Sequence, residues 1–210
     1  MNDAAIRPTI FVIDDEPTVR ASISRLLRSA GLDAQMFSSA QEFLRANRPD
    51  VPSCLVLDVR LPDVSGLDLQ RELAKANVDL PIIFVTGYGD VPMSVRAMKA
   101  GAVEFLTKPY RDQDLLEAIQ HAVERHRILR QRHIEGAMLK QRYRSLTPRE
   151  REVFPLVTVG MLNKQIAAQL GTTEKTIKSH RGQVMRKMRA ASVAELIRMG
   201  QRLGVTSPDP

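Results

Sequence analysis

The sequence predicts two parts of different architecture: an α/β part built on a doubly wound parallel sheet, then an all-α part of four helices, joined by a long helix. Three observations carry this. Short apolar runs alternate with helical periodicities up to about residue 125, the pattern of parallel strands covered on both faces. From about residue 145 the strand-like runs stop and four capped helical segments follow. Charge divides at nearly the same place: residues 1–124 hold 13 Lys+Arg and 18 Asp+Glu, whereas residues 125–210 hold 18 and 6. The net charge of +7 over 210 residues therefore arises in the second part. Basic character concentrated in a small domain is the electrostatic footprint of a phosphate-backbone partner, or else a solvated surface.

Thr9–Ile13 is a β-rich run ending in Asp14-Asp15-Glu16. Pro17 suits the first turn of a helix, where its missing N–H has no intrahelical partner to lose. Val19, Ile23, Leu26, Leu27 and Ala30 recur at helical spacing until Gly31. A strand is predicted near Asp33–Phe37, and Ser39 with Glu42 forms a capping box for a helix through about Ala46. Cys54–Leu57 is a short, wholly apolar run, so it reads as a strand buried on both faces with Asp58 at its end. Ser65–Ala76 is the next helix, Pro81–Val85 a buried strand ending at Thr86-Gly87, and Val91–Ala100 a short helix stopped by Gly101. Val103–Leu106 is the fifth strand and leads into Thr107-Lys108-Pro109.

Right-handed crossovers bring the carboxyl ends of such strands to one edge, where open α/β sheets bind ligands. Asp14, Asp15, Asp58, Thr86 and Lys108 all lie at those ends. Neighbouring carboxylates repel one another unless cations compensate them, and hard oxygen donors with open water positions suit Mg²⁺. A carboxylate is also a possible nucleophile that forms an aspartyl phosphate, with Lys108 and the Thr86 hydroxyl placed to stabilise phosphoryl oxygens. Each residue has a plainer reading as well: Asp58 as a loop cap, Asp14 or Asp15 as a helix N-cap, Thr86 as a strand-end residue and Lys108 as a surface lysine.

Residues from about Thr9 to Arg125 resemble the receiver domain of a bacterial two-component response regulator. The resemblance rests on D-D at 14–15, V-L-D-V-R-L-P-D with its Asp at 58, T-G at 86–87 and K-P at 108–109. It implies a flavodoxin-like (βα)5 fold with Asp58 as phosphoacceptor. Asp15, Asp58 and the Arg60 backbone carbonyl become the Mg²⁺ ligands, with Asp14 adjacent. Thr86 and Lys108 become the phosphoryl-sensing pair, Phe105 the aromatic switch, and Lys108–Pro109 a commonly cis bond. As Phe, residue 105 lacks a hydroxyl, so any switching there works by packing alone.

Asp112 to about Tyr143 has helical periodicity without an internal proline. Leu115, Ile119, Ala122, His126 and Leu129 line one face; beyond it the composition becomes charged nearly all round, the character of a solvated linker or one strand of a coiled coil. Ile128, Ile134, Met138 and Leu139 hold no clean heptad, which favours a linker over residues 126–144. Gly136 is a possible break. His121, His126 and His133 have no metal-ligand spacing and are expected to face solvent. The one cysteine, Cys54, lies in an apolar strand and is expected to be a buried thiol.

Thr147-Pro148-Arg149-Glu150 combines an N-cap, a Pro at the first helical position and a capping-box acid. The helix is predicted to run to Val159, with Pro155 inside it. Asn163 is expected to cap a short helix, Lys164–Leu170; Gly171 turns the chain; Thr173 caps a longer basic helix to about Arg189; Ser192 and Glu195 open a fourth. A short helix, a Gly-containing turn and a longer basic helix is the helix-turn-helix pattern, whose second helix enters the major groove. Ile177, Val184 and Met188 give that helix one buried face.

L-T-P-R-E-R-E-V at 146–153, G-x-x-N-K-Q-I-A-x-x-L at 160–170 and K-T-I-K-S-H-R at 175–181 resemble the output domain of LuxR-type regulators of the NarL/FixJ class, and residues 87–102 resemble the FixJ branch. By position, the resemblance places Lys178, Ser179 and Gly182 at the bases; Gly182 has no side chain, so readout there comes from neighbours such as Arg181 or is absent. Lys164, Thr173, Lys175, Thr176 and His180 fall at phosphates.

These readings make the chain a receiver domain (1–125), a helical linker (126–144) and a DNA-binding domain (145–210). The expected function is a phosphorylation-controlled transcriptional regulator, not an enzyme. Its expected partners are a sensor histidine kinase, double-stranded promoter DNA, RNA polymerase and a second copy of itself when phosphorylated. No apolar run is long enough to span a bilayer and no signal-type segment opens the sequence, so a cytoplasmic protein without a membrane partner is expected. Two alternatives stay open: a turning-over phosphohydrolase, which usually carries a second acid where Arg60 stands, and a constitutive DNA-binding protein whose receiver is a scaffold.

Overall fold

Five parallel strands frame the amino-terminal part in the order β2-β1-β3-β4-β5. They are β1 (Thr9–Ile13), β2 (Asp33–Phe37), β3 (Ser53–Leu57), β4 (Ile82–Thr86) and β5 (Glu104–Thr107). The computed structural model describes residues 7–87 and 90–205; residues 1–6, 88–89 and 206–210 of the expected domains lie outside them. The chain divides into two units, Met1–Gln131 and Arg132–Pro210.

Alternation along the strands sends side chains to two separate cores. Phe11, Ile13, Leu55, Leu57 and Phe84 meet Ala40 and Phe43 of α2 (Ala40–Arg45), Leu69 and Leu73 of α3 (Gly66–Lys75) and Ala97 of α4 (Val91–Lys99). Ile10, Val12, Cys54, Val56, Ile83 and Val85 meet Ile23 and Leu27 of α1 (Pro17–Ser29) and Leu115, Ile119 and Ala122 of α5 (Asp112–Arg144). Helices thus cover both faces, and a strand buried on both faces needs the continuous apolar run seen in Cys54–Leu57. Burial also pushes the Cys54 thiol pKa up, leaving an inert side chain.

Several local expectations change. Glu16, not Asp14 or Asp15, is the N-cap of α1. Ser39 accepts from the Glu42 N–H, but the Glu42 carboxylate takes the N–H and hydroxyl of Ser38 rather than the Ser39 N–H. His126 does not face solvent freely. Its Nδ1 accepts the Ser53 N–H at 2.7 Å at the start of β3, and burial, aided by Arg130, lowers its pKa. Gly136 lies within α5 and does not end it.

The second unit holds α6 (Pro148–Thr158), α7 (Asn163–Gln169), α8 (Glu174–Met188) and α9 (Val193–Leu203) around Val153, Phe154, Ile166, Ile177, Val184, Met188 and Leu196. Tyr143 packs edge-on to Phe154 with ring centroids 5.2 Å apart. The Thr147–Glu150 capping box is complete, and the helix passes through buried Pro155. Asn163 is the first residue of α7 and not its cap; Leu162 holds the cap position, and its N–H is taken by the Gln165 side chain.

Candidate functional site

The register of the sheet assembles the acidic site. Ile13 pairs with Leu57, so the residues that follow, Asp14 and Asp58, emerge side by side at the carboxyl edge. The Asp58 N–H donates to the Ile13 carbonyl at 2.9 Å, fixing the start of the loop that carries it. One carboxylate oxygen each from Asp14, Asp15 and Asp58 lies within 4.8 Å of the others. Asp14 and Asp58 are buried, at 2% and 8% exposure, while Asp15 is exposed.

Lys108 reaches the cluster from the end of β5. Its Nζ donates to Asp14 Oδ2 at 2.7 Å and to Asp58 Oδ2 at 2.9 Å. Its own N–H donates to the Thr86 carbonyl at 2.8 Å, and the peptide bond to Pro109 is cis. Burial works to lower the Lys108 pKa, but the hydrogen bonds to the two carboxylates outweigh it and the net direction is upward. Asp14 moves the other way from an ordinary ion-paired acid. Its burial raises the pKa more than Lys108 and the Glu16 N–H lower it. The remaining Asp58 oxygen, Oδ1, accepts the Arg60 N–H at 3.0 Å.

Asp15, Glu16, Asp58, Arg60, Thr86, Gly87 and Lys108 line a cleft of about 270 Å³ above this edge. Thr86 is buried at the end of β4. Phe105 is half-buried on β5, with its ring centroid 6.0 Å from that of Phe84. The donor set fits a hard divalent cation: three clustered carboxylates against one ammonium leave the site net negative.

Two contributors were not singled out from sequence. Gly66, first residue of α3, sits against the Asp58 backbone: a Cβ built there would lie 2.4 Å from the Asp58 carbonyl oxygen. Its own N–H donates to the Val59 carbonyl at 2.8 Å. The only signal was a glycine where the helix begins. Asp63, the last residue of the V-L-D-V-R-L-P-D run, accepts the N–H groups of Ala40 at 3.4 Å, Gln41 at 2.9 Å and Val64 at 3.0 Å. Burial works to raise its pKa, but these bonds prevail and lower it.

In the second unit, Thr173 caps α8 by accepting the Thr176 N–H. Lys164, Thr173, Lys175, Lys178, Ser179 and Gly182 are exposed; Thr176, His180 and Arg181 are partly buried. Arg181 is engaged within the domain: Nη1 donates to Asn163 Oδ1 at 3.2 Å and to the Met161 carbonyl at 3.4 Å. Its head group braces α8 against the start of α7, which sets it apart from the outward-facing residues. Lys187 and Glu150 form an ion pair at 2.7 Å, with Glu150 buried.

A 2-1-3-4-5 parallel sheet with this acidic edge, followed by a basic helix-turn-helix, defines a receiver linked to a DNA-binding module. Residues 10–120 match the response regulator receiver domain, and residues 144–200 match the bacterial regulatory proteins of the luxR family. Nodulation protein W of Bradyrhizobium diazoefficiens is 53% identical over 205 residues, 98% of this chain and 90% of that protein. The transcriptional regulatory protein FixJ of Rhizobium meliloti is 42% identical over 193 residues, 91% of this chain and 94% of that one. The structure of the response regulator StyR superposes with a TM-score of 0.85 at 44% identity, over 93% of this chain and 99% of that one. The chain belongs to the response regulators with a LuxR-type DNA-binding domain, and FixJ- and NodW-type transcriptional regulators are its homologues. Receiver domains of this family bind Mg²⁺ at an acidic pocket, to which Asp14, Asp15 and Asp58 correspond. No helix among the described residues is long and apolar enough to cross a membrane.

Proposed function

We propose that Asp58 accepts a phosphoryl group from a sensor histidine kinase and that the phosphorylated protein binds promoter DNA through α7 and α8. The observation that carries this reading is the position of Asp58: a carboxylate at a strand end, in an open cleft, sharing one lysine with Asp14. An Asp58 oxygen attacks the phosphorus of the kinase phosphohistidine; the O–P bond forms as the N–P bond breaks, and the imidazole leaves. Asp15, Asp58 and the Arg60 backbone carbonyl would hold Mg²⁺, with Asp14 beside them. When bound, the cation supplies positive charge to the transferring phosphoryl oxygens.

Lys108 and the Thr86 hydroxyl then engage the phosphoryl group, and Phe105 repacks against its neighbours. The face that responds includes α4, where Val91, Val95 and Met98 are 76%, 43% and 43% exposed at helical spacing. Such a stripe supports a homodimer in the active state, which presents two helix-turn-helix modules to paired half-sites. In the second unit, Lys178, Ser179 and Gly182 face the bases, while Lys164, Thr173, Lys175, Thr176 and His180 contact phosphates. In this reading the receiver is 1–125, the helical linker 126–144 and the DNA-binding domain 145–210. The protein works in the cytoplasm beside the chromosome and RNA polymerase. It is a switch and not a turning-over enzyme.

The test is intact mass after incubation with acetyl phosphate and Mg²⁺. A single phosphoryl gain in the wild type, absent from Asp58→Asn, is expected. Equal modification of Asp58→Asn would sink the assignment.

A further inference from the structure

Gly182 has no structural reason to be a glycine. It lies inside α8, and glycine is the least favourable residue in a helix interior apart from proline. Its φ is not among the positive values found in the described residues. A Cβ built on it meets no atom within 4 Å beyond its chain neighbours and the adjoining helix backbone. An alanine would therefore fit the protein itself and strengthen the helix. Where the fold needs small size it is plain: at Gly66 and Gly200 a built Cβ comes to 2.4 and 3.0 Å of a neighbour.

The position of the gap suggests what occupies it. Ile177, Val184 and Met188 are the buried face of α8. Lys175, Ser179, Gly182 and Arg186 fall at i, i+4, i+7 and i+11, opposite that face, and all four are exposed. Basic side chains thus flank a short stretch where the helix backbone is nearly bare. Arg181, next to the gap, cannot fill it while its guanidinium is held by Asn163 and Met161.

We infer that Gly182 is a specificity determinant for duplex DNA that acts by leaving space: it lets the α8 backbone lie close to the major-groove edge of one base pair in each half-site. The bulk accommodated is that of a base edge, and a thymine 5-methyl group is the largest such apolar feature in the major groove. This rests on the proposed DNA-binding reading of α8. Discrimination comes from exclusion, because a side chain at this position would overlap the favoured base pair while leaving the phosphate contacts of Lys164 and Lys175 in place.

The experiment uses the full chain and duplexes enriched by the wild type from a random-sequence library. Gly182→Ala and Gly182→Gln, both good helix formers, are compared with the wild type by fluorescence anisotropy on the enriched duplex and on a random-sequence duplex. The expected result is a loss of about tenfold for Gly182→Ala on the enriched duplex, the scale of one mismatched base pair, and a larger loss for Gly182→Gln. Random-sequence binding should change less than about twofold, since it depends on phosphate contacts. Re-enrichment with Gly182→Gln should return half-sites altered at one base pair. Equal affinity of all three proteins for the enriched duplex overturns the inference while leaving DNA binding intact. A wild type that enriches no sequence, or a Lys178→Ala variant that keeps full affinity for both duplexes, overturns it together with the reading beneath it.

Discussion

Replacing Gly66 with alanine tests whether the backbone under Asp58 is as closely packed as its geometry implies. The added Cβ would lie 2.4 Å from the Asp58 carbonyl oxygen, 3.1 Å from Val59 Cα and 3.2 Å from a Phe84 ring carbon, where ordinary contact starts near 3.4 Å. The oxygen would have to retreat by about 1 Å, and it belongs to the backbone between β3 and its loop, so no flexible side chain can absorb the move. Overpacking of this kind costs about 1–3 kcal/mol. Alanine recovers about 0.4–1 kcal/mol by restricting the unfolded chain, leaving a net loss of roughly 1–2 kcal/mol. The displaced atom belongs to Asp58 itself, so phosphorylation by acetyl phosphate should also slow. The sequence has no tryptophan, which makes far-UV circular dichroism in urea the suitable readout. Gly136→Ala is the control, because a Cβ there meets nothing and a mid-helix alanine should stabilise by up to about 1 kcal/mol. A Gly66→Ala protein with an unchanged urea transition and labelling rate would refute the packing argument.

Lys187→Met should destabilise the second unit by about 2 kcal/mol, less than a fully buried pair because the Lys187 side chain keeps 26% exposure. The same change should weaken the unit's acid dependence. Burial works to raise the Glu150 pKa, but Lys187 and Thr147 outweigh it and hold the group below its ordinary 4.5. The unfolded chain therefore binds more protons, and stability present above pH 4.5 is lost as pH falls through the lowered value, a loss that urea titrations across that range will show. His126 predicts a second window. Burial and Arg130 lower its pKa from 6.5, against the pull of Asp79 and Asp50, so stability should fall as pH drops from 6.5 toward the lowered value. His126→Ala should remove that slope, which urea midpoints at a series of pH values will test.

Most of the framework was legible in the sequence because it is local. Cys54–Leu57 is apolar without interruption, and that continuity is what a strand between two helical layers requires. Ile177, Val184 and Met188 repeat at helical spacing, and all three are buried. Caps at Thr147, Thr173 and Ser192 follow from neighbours within four residues. What was not legible depends on partners far away in sequence. Periodicity placed His126 on the inner face of α5, but its bond to Ser53 spans 73 residues. Arg181 resembled an outward-facing cation until Asn163, 18 residues earlier, was seen to hold it. Gly66 offered no side chain to interpret, since its contribution is the approach it permits. Asn163 shows how two local rules can compete: it is a good cap by type, yet the Leu162 N–H found the Gln165 side chain and the helix began one residue sooner than expected.

The Asp63 carboxylate joins two segments that are remote in the chain. The loop carrying it starts at Asp58, and the N–H groups of Ala40 and Gln41 that it holds open a helix of six residues beside the edge strand β2. The loop and the helix therefore share one opening event: to lift the far end of the loop is to uncap α2, and to fray α2 is to release the loop. The lifetime of the ordered loop from Asp58 to Asp63 is then governed by one of the shortest helices in the fold. Amide exchange at Gln41 and Val64 should consequently report the same opening free energy, although 23 positions separate them in the sequence.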